Sequence, residues 1–380
     1  MNYEYYIGEL EALRAGGNLR RLPGEAPAGV WDLSSNDYLG LAEDPGLADA
    51  FLACTDINAA MMTSSASRLL GPRQSAYEAL ESTLAELYGR PALLFNSGYH
   101  ANVGMIQALA DRRTLVLADK LIHASVIDGL RLAGATFERF RHNDIEHLRR
   151  LIDRRKADFD RLLVVVESVY SMDGDCAPLE QLAELKQHYP SLLLYVDEAH
   201  AVGVCGPGGL GLVAALPRPE AADIVVGTLG KALASSGAYV ICSSTLRSYF
   251  INKARSLIFS TALPPLQALW SKYIIEQVAG MDSRREHLRR LAADLAAVTG
   301  CSHRGHIQPL VTGSAESAMS LSAQLLALGY KVLPIRTPTV PPGTERLRFS
   351  LSAALPSEAI SNLNTTLKTN EIPTAGQTGL

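Results

Sequence analysis

Short apolar runs recur along this chain, separated by longer stretches whose apolar residues repeat every three or four positions. Residues 91–95, 114–118, 136–140, 161–167, 192–196, 223–227 and 238–242 are brief, rich in aliphatic and β-branched side chains, and bounded by breakers. Runs of that kind read as buried strands. Between them the spacing predicts helices. Over 73–88, Leu80, Leu84 and Leu87 share one face. Further helices are expected after Ser97, around His123, over 143–156, after Pro178 and over 245–257. Strands alternating with helices at this spacing imply an α/β fold with a mostly parallel sheet covered on both faces.

The pattern changes at Pro264-Pro265. Beyond it, 265–278 and 283–298 read as long helices, with strands near 307–311, 331–333 and 347–351 and a helix over 315–328, which is a smaller α+β lobe. Ahead of the first strands lies an arm with a helix over 3–15, stopped by Gly16 and Gly17, and a short strand over 31–33. The expected organisation is an N-terminal arm (1–35), a large domain (36–265), a small C-terminal domain (266–368) and a polar, disordered tail (369–380).

Chemistry sits where the strands end. The run 192–196 delivers Asp197 and then His200, and the run 223–227 delivers Thr228 and then Lys231. In open α/β sheets ligands bind at the carboxyl ends of strands. A buried carboxylate, a histidine and a lysine in that place suit pyridoxal 5′-phosphate, which is held covalently by a lysine and needs an acid at its pyridine nitrogen. Lys231 has only small or apolar neighbours (Gly230, Ala232, Leu233, Ala234). Such surroundings favour a nucleophilic amine. Taken singly, Lys231 is also readable as a surface lysine and Asp197 as a helix cap. The joint pattern D-E-A-H followed by T-x-G-K is far more specific. Ser97-Gly98 after the strand 91–95 opens a helix, where free N–H groups favour phosphate. Tyr99 and His100 beside it read as cofactor contacts or as packing. Asn36-Asp37-Tyr38-Leu39-Gly40 is a turn with a rigid aromatic, either structural or one wall of a site. Arg20 is a solvated loop residue or an anion contact.

Composition narrows the field. The chain has 380 residues, 47% hydrophobic and 19% charged, enough for a large core in two lobes. A net charge of −4 gives no reason to expect nucleic acid or an anionic membrane surface. No apolar run approaches the roughly 18 residues of a membrane span, and the acidic start is unlike a secretory signal. The five scattered cysteines lack a C-x-x-C and suggest reduced thiols in the cytoplasm. The basic run in 149–156 reads as a solvated face. Cys301, His303 and His306 lack the paired spacing of a zinc site, and the glycines over 203–211 do not open a long helix as a dinucleotide loop would.

The motifs SNDYLGL, ASRLL-G, FNSGYHAN, DKLIHASVIDG, ESVYSMDGD, YVDEAHAVG, TLGKALASSGAY, FSTALPP and IRTPTVPPGTERLRFS together resemble the α-oxoamine synthases, covering nearly the whole chain. These are fold-type I pyridoxal phosphate transferases that join an amino acid to an acyl thioester with loss of carbon dioxide. The resemblance implies that Lys231 holds the cofactor and moves the substrate's α proton, and that Asp197 pairs with the ring nitrogen. It implies that His200 and Ser171 bond the ring oxygen and that His123 stacks on the ring. Gly98, Tyr99 and Thr228 would lie near the phosphate. Ser260 and Thr261 would approach it from a neighbouring subunit, so a homodimer with shared active sites is implied. Arg348 would clamp the amino acid carboxylate, and Arg20 and Thr339 would lie near the acyl group. Within the family, IFSTALPP and R-x-P-T-V-P are most similar to members that use L-alanine and a pimeloyl thioester in biotin synthesis. Glycine with acetyl-CoA, serine with a longer acyl chain, and a non-catalytic scaffold are the alternatives. The chain departs from the common pattern at Ile122, often Asn, at Ala234, often Gly, and at Tyr77, often His.

Overall fold

The computed structural model describes residues 3–22, 24, 27–56, 62–71 and 74–370. The first elements are α1 (Glu4–Ala15), β1 (Trp31–Asp32), α2 (Pro45–Cys54), α3 (Ser75–Tyr88), β2 (Ala92–Phe95), α4 (Gly98–Leu109), β3 (Thr114–Asp119), α5 (Ala124–Ala133) and β4 (Thr136–Phe140). There follow α6 (Ile145–Arg155), β5 (Arg161–Glu167), α7 (Leu179–Gln187), β6 (Leu192–Asp197), β7 (Ile224–Thr228), β8 (Ala238–Cys242), α8 (Ser244–Lys253), α9 (Arg255–Ile258) and α10 (Pro265–Val278). The last are α11 (Asp282–Thr299), β9 (Ile307–Val311), α12 (Ala315–Ala327), β10 (Tyr330–Lys331), β11 (Leu333–Ile335), β12 (Arg346–Ser350) and α13 (Ala359–Thr369). Of the expected tail, residues from 371 on lie outside the described residues, as do Arg73 of the expected helix 73–88 and Met61 and Pro72 beside it.

The chain forms two compact units, one of residues 39–171 with 175–285, the other of 1–38, 172–174 and 286–380. The larger unit is built on a seven-stranded sheet in the order β2-β8-β7-β6-β5-β3-β4. The β3–β4, β3–β5, β5–β6 and β6–β7 pairs are parallel, and β8 runs antiparallel to both β7 and β2. Every residue of β3 and nearly every residue of β5 and β6 is buried. Strands covered on both faces therefore read as continuous apolar runs rather than alternating ones. Met105 and Ile106 of α4, Val126 and Leu130 of α5 and Phe250 of α8 pack onto Val116, Leu163, Val165, Tyr195 and Val226 of the sheet. Each such side chain contributes about 1.5–3 kcal/mol on burial. Register sets Glu167 beside Asp197 at the ends of β5 and β6, and Thr228 closes β7.

Two expected elements differ. The single helix over 245–257 is two, because Ala254 is extended (φ −73°, ψ 100°) and fully buried. The bend carries Ser256 onto α4, where its hydroxyl donates to the His100 carbonyl at 2.6 Å. The strand over 331–333 also divides: Lys331 pairs in parallel with β1, whereas Leu333 pairs antiparallel with β12. The helix α2 was not anticipated, although its signal is present. Asp44 caps it by accepting from Gly46 N–H at 3.1 Å, and Pro45 sits at the first helical position.

The smaller unit holds the antiparallel sheet β11-β12-β9 and the pair β1–β10. The N-terminal stretch joins this unit through Trp31 opposite Tyr330, and through the Ser350 N–H, which donates to the Leu33 carbonyl at 2.8 Å. Ala359, Ile360, Leu363 and Leu367 are the buried face of α13.

Candidate active site

Asp197 closes β6 and is 4% exposed. Its Oδ1 accepts from the Ala199 N–H at 2.9 Å and its Oδ2 from Asn102 Nδ2 at 2.7 Å. His200 follows in a turn tied by Ala201 N–H to the Glu198 carbonyl. Lys231 lies just past β7, and its Nζ is 2.7 Å from His200 Nε2. Whichever nitrogen donates, the other must present a lone pair, so this pair carries at most one positive charge. The fold thus brings together the two halves of the sequence pattern, Asp197-x-x-His200 and Thr228-x-x-Lys231. Thr228 Oγ1 accepts from the Gly230 N–H at 3.3 Å, which shapes the turn into Lys231.

Ala234 in the same loop has φ +41°, a left-handed conformation that is costly for a residue with a Cβ. That conformation is the reason glycine is common at this position; nothing in the structure explains the alanine. Ala234→Gly is expected to raise stability by about 0.5 kcal/mol, the relief of strain less glycine's extra freedom in the unfolded chain. A urea unfolding midpoint at or below the wild-type value would count against it. Glycine is required more strictly at Gly211 (φ +95°), where a Cβ would fall 1.4 Å from Glu198 Oε2. The other Glu198 oxygen accepts from the Leu212 and Val213 N–H groups at 3.1 and 3.2 Å, so this acid anchors the glycine-rich loop to β6. Burial pushes its pKa up to about 7.

His123 caps α5: its Nδ1 accepts from the Ser125 N–H at 3.2 Å. Desolvation holds its pKa below the usual imidazole range, helped by Lys231 and opposed by Asp197 and Asp128. Ser97 caps α4 by accepting from the His100 N–H at 3.2 Å, and the space a Cβ would occupy at Gly98 is open. Tyr99 donates to Asp128 Oδ2 at 2.9 Å. Ser260 Oγ accepts from Asn96 Nδ2 at 3.0 Å, and the Thr261 carbonyl accepts from the same amide. Ser171 is buried, and its N–H donates to Glu167 Oε2 at 3.1 Å.

Among the candidates in the smaller unit, Arg20 Nη2 donates to Thr339 Oγ1 at 3.2 Å, so two residues 319 positions apart meet as a pair. Arg348 is 3% exposed, and its Nη2 donates to Asn36 Oδ1 at 3.2 Å.

Two residues were missed by sequence reasoning. Asn102 holds Asp197 in place; it lies in the quoted FNSGYHAN motif, but nothing local in sequence aims its amide at β6. Glu167 is 2% exposed, one strand over from Asp197. Burial, with the neighbouring charge of Asp197, pushes its pKa up to about 8. The folded chain therefore keeps a proton on Glu167 that the unfolded chain, at 4.5, has lost, and stability drains away as pH rises from 4.5 to about 8. Glutamine has the shape of the neutral acid and cannot ionise. In the cofactor-free protein, Glu167→Gln is expected to match wild type in Tm near pH 5 and to exceed it near pH 8. Equal melting at both pH values would contradict this.

A profile of the aminotransferase class I and II family matches residues 28–367. A Pasteurella multocida protein provisionally named 8-amino-7-oxononanoate synthase is 47% identical over 366 residues, covering 92% of this chain and 94% of its own. Among solved structures, a serine palmitoyltransferase from Sphingomonas wittichii is similar at a TM-score of 0.86 and 29% identity, covering 97% of this chain and 96% of that one. A serine palmitoyltransferase holding pyridoxal phosphate matches at 0.85 and 28% identity, covering 97% and 96%. An 8-amino-7-oxononanoate synthase from Francisella tularensis matches at 0.74 and 25% identity, covering 90% and 99%. The donor set fits that cofactor: an amine paired with an imidazole, a buried carboxylate held by an amide, and a capped helix start with open space at its glycine. The chain belongs to the aminotransferase class I and II family of pyridoxal phosphate enzymes, within its α-oxoamine synthase branch, and has the fold-type I architecture.

Proposed function

We propose that this protein condenses L-alanine with a pimeloyl thioester, releasing carbon dioxide and the free thiol and giving 8-amino-7-oxononanoate, a step of biotin synthesis. The observation that carries the reaction class is the Lys231–His200 pair at 2.7 Å, beside Asp197 at the strand ends. The choice of alanine and pimeloyl rests on the name of the Pasteurella relative and on the Francisella structure.

Pyridoxal phosphate, when bound, supplies the electron sink that makes an amino acid's α proton removable. Lys231 would tether it and then, as a free amine, take the proton from Cα and return it after decarboxylation. His200, by sharing a hydrogen bond with Lys231, limits the charge there and keeps a lone pair within reach. Asp197 would face the ring nitrogen, and its two hydrogen bonds fix where the charge points. His200 and Ser171 would bond the ring oxygen, and His123 would lie against the ring. Gly98, Tyr99 and Thr228 would hold the phosphate, with the N–H groups at the start of α4 as donors. Arg348 offers a planar fork to the alanine carboxylate. Arg20 and Thr339, already paired, would flank the acyl chain.

Ser260 and Thr261 would complete the phosphate site of a second subunit in a homodimer. In support, α1 buries none of its residues, exposing Tyr5, Tyr6, Ile7, Leu10 and Leu13, and Phe259 beside Ser260 is also exposed. Light scattering would test the dimer. Among the described residues no helix is long and apolar enough to cross a membrane.

A second reading keeps the chemistry and changes the substrates to serine with a long-chain thioester; the serine palmitoyltransferase likeness favours it. Mass spectrometry of products from alanine, glycine and serine, each offered pimeloyl, acetyl and palmitoyl thioesters on coenzyme A and on a carrier protein, separates the two. No product from alanine with either pimeloyl donor would overturn the first.

A further inference from the structure

The buried side chains between β6 and α5 form one directed hydrogen-bond chain. Tyr195 is fully buried, and desolvation, with the charge of Asp197, keeps its phenol protonated far above neutral pH. Its hydroxyl lies 2.6 Å from Asn102 Oδ1, so the phenol donates and the amide oxygen accepts. That fixes the orientation of the Asn102 amide. Its Nδ2 has two hydrogens and both are used: one goes to Asp197 Oδ2 at 2.7 Å, the other to Ser125 Oγ at 2.9 Å. Ser125 Oγ thus accepts from Asn102, and it lies 2.7 Å from His123 Nδ1. A hydroxyl that accepts from one partner has its own hydrogen to give to the next. The Ser125 N–H also points at His123 Nδ1, at 3.2 Å. Two donors converge on that nitrogen.

We infer that Tyr195, Asn102 and Ser125 are positioning residues that lock His123 as the neutral imidazole with its proton on Nε2, and that Asn102 couples this tautomer to the orientation of Asp197. A proton on Nδ1 would face the Ser125 N–H and would force the Ser125 hydroxyl, itself fully buried beneath the exposed His123 ring, to turn away from its acceptor. The charges acting on His123 are Asp197 and Asp128, which favour the imidazolium, and Lys231, which opposes it; the buried Glu167 carboxyl lies at its backbone. The tautomer leaves Nε2–H as the one polar hydrogen His123 offers outward. Its use as a hydrogen-bond donor to a substrate oxygen rests on the reaction proposed above.

The test reads the tautomer directly. Long-range proton–nitrogen correlations are recorded on protein with nitrogen-labelled histidine, cofactor-free and loaded, and the His123 signal is assigned by its loss in His123→Asn. Wild type is expected to give the neutral Nε2–H pattern across neutral pH. Ser125→Ala is expected to bring in the Nδ1–H tautomer or an imidazolium that titrates near neutral pH, and Ser125→Thr to restore the wild-type pattern. In turnover, Ser125→Ala is expected to lower kcat about tenfold with little change in KM for the amino acid, and to add an acid limb to the pH profile. A wild-type His123 protonated on Nδ1 at neutral pH overturns the inference, even if Ser125→Ala fails to fold. An unchanged pattern in Ser125→Ala overturns it as well. The spectrum of the cofactor-free protein needs no turnover, so it can fail while the proposed reaction stands, and the reaction can fail while the tautomer stands.

Discussion

Lys231→Ala is expected to abolish covalent attachment of pyridoxal phosphate and to cut the rate of product formation by about 10³-fold or more, since it removes both the tether and the proton carrier. The substitution also takes from His200 the amine now 2.7 Å away. The protein should still fold, because Lys231 is only half-buried and lies in a loop past β7. The decisive measurement is borohydride reduction of the loaded wild-type protein, followed by digestion and mass spectrometry. The mass of the reduced cofactor is expected on the peptide holding Lys231, and Lys231→Ala is expected to carry none. A label on a different lysine would remove the basis of the proposed reaction.

Asp197→Asn is expected to lower activity and to flatten the fall of stability with pH. With cofactor bound, the loss of the charge at the end of β6 should lower kcat by about 10²–10³-fold, the usual scale for removing one preorganised electrostatic contact. Asparagine keeps the shape but offers one acceptor oxygen where the carboxylate offers two, so it keeps only one of the bonds from the Asn102 amide and the Ala199 N–H. Without cofactor the lost hydrogen bond should cost stability at every pH, while the loss of stability toward alkaline pH should lessen. Asp197 and Glu167 sit side by side in the register of β5 and β6, and the charge of Asp197 helps push Glu167 up to about 8. Removing that charge lets Glu167 ionise more readily and relieves the repulsion. The expected result is a cofactor-free variant whose Tm gains on wild type between pH 5 and pH 8, together with weaker cofactor binding measured by absorbance. A Tm difference from wild type that is the same at pH 5 and pH 8 would contradict this account. Binding sites commonly hold such mutually repelling groups at a cost in stability.

The sequence by itself determined most of the local structure, because the signals are local. Apolar runs bounded by breakers became β2 to β8, and α10 and β9 have the expected limits, Pro265–Val278 and Ile307–Val311. Capping residues beside these runs, Ser97, Asp144 and Ser243, begin helices as their short polar side chains require. The pairing of Asp197-x-x-His200 with Thr228-x-x-Lys231 was legible because each motif directly follows a strand, and strand ends gather on one edge of a parallel sheet.

Only the tertiary structure decided the rest. Strand order places β2 next to β8, far away in sequence, and β1 pairs with β10 across about 300 residues of chain. The turn at Ala254 buries that residue and brings Ser256 to the His100 carbonyl, a contact that no local pattern contains. Asn102 reads as an ordinary helix residue until Asp197, Ser125 and Tyr195 surround it. Glu167 reads as a charged strand end until burial beside a second carboxylate leaves it protonated. Propensity and periodicity are properties of neighbours in the chain, whereas desolvation, charge coupling and the direction of a hydrogen bond belong to neighbours in space.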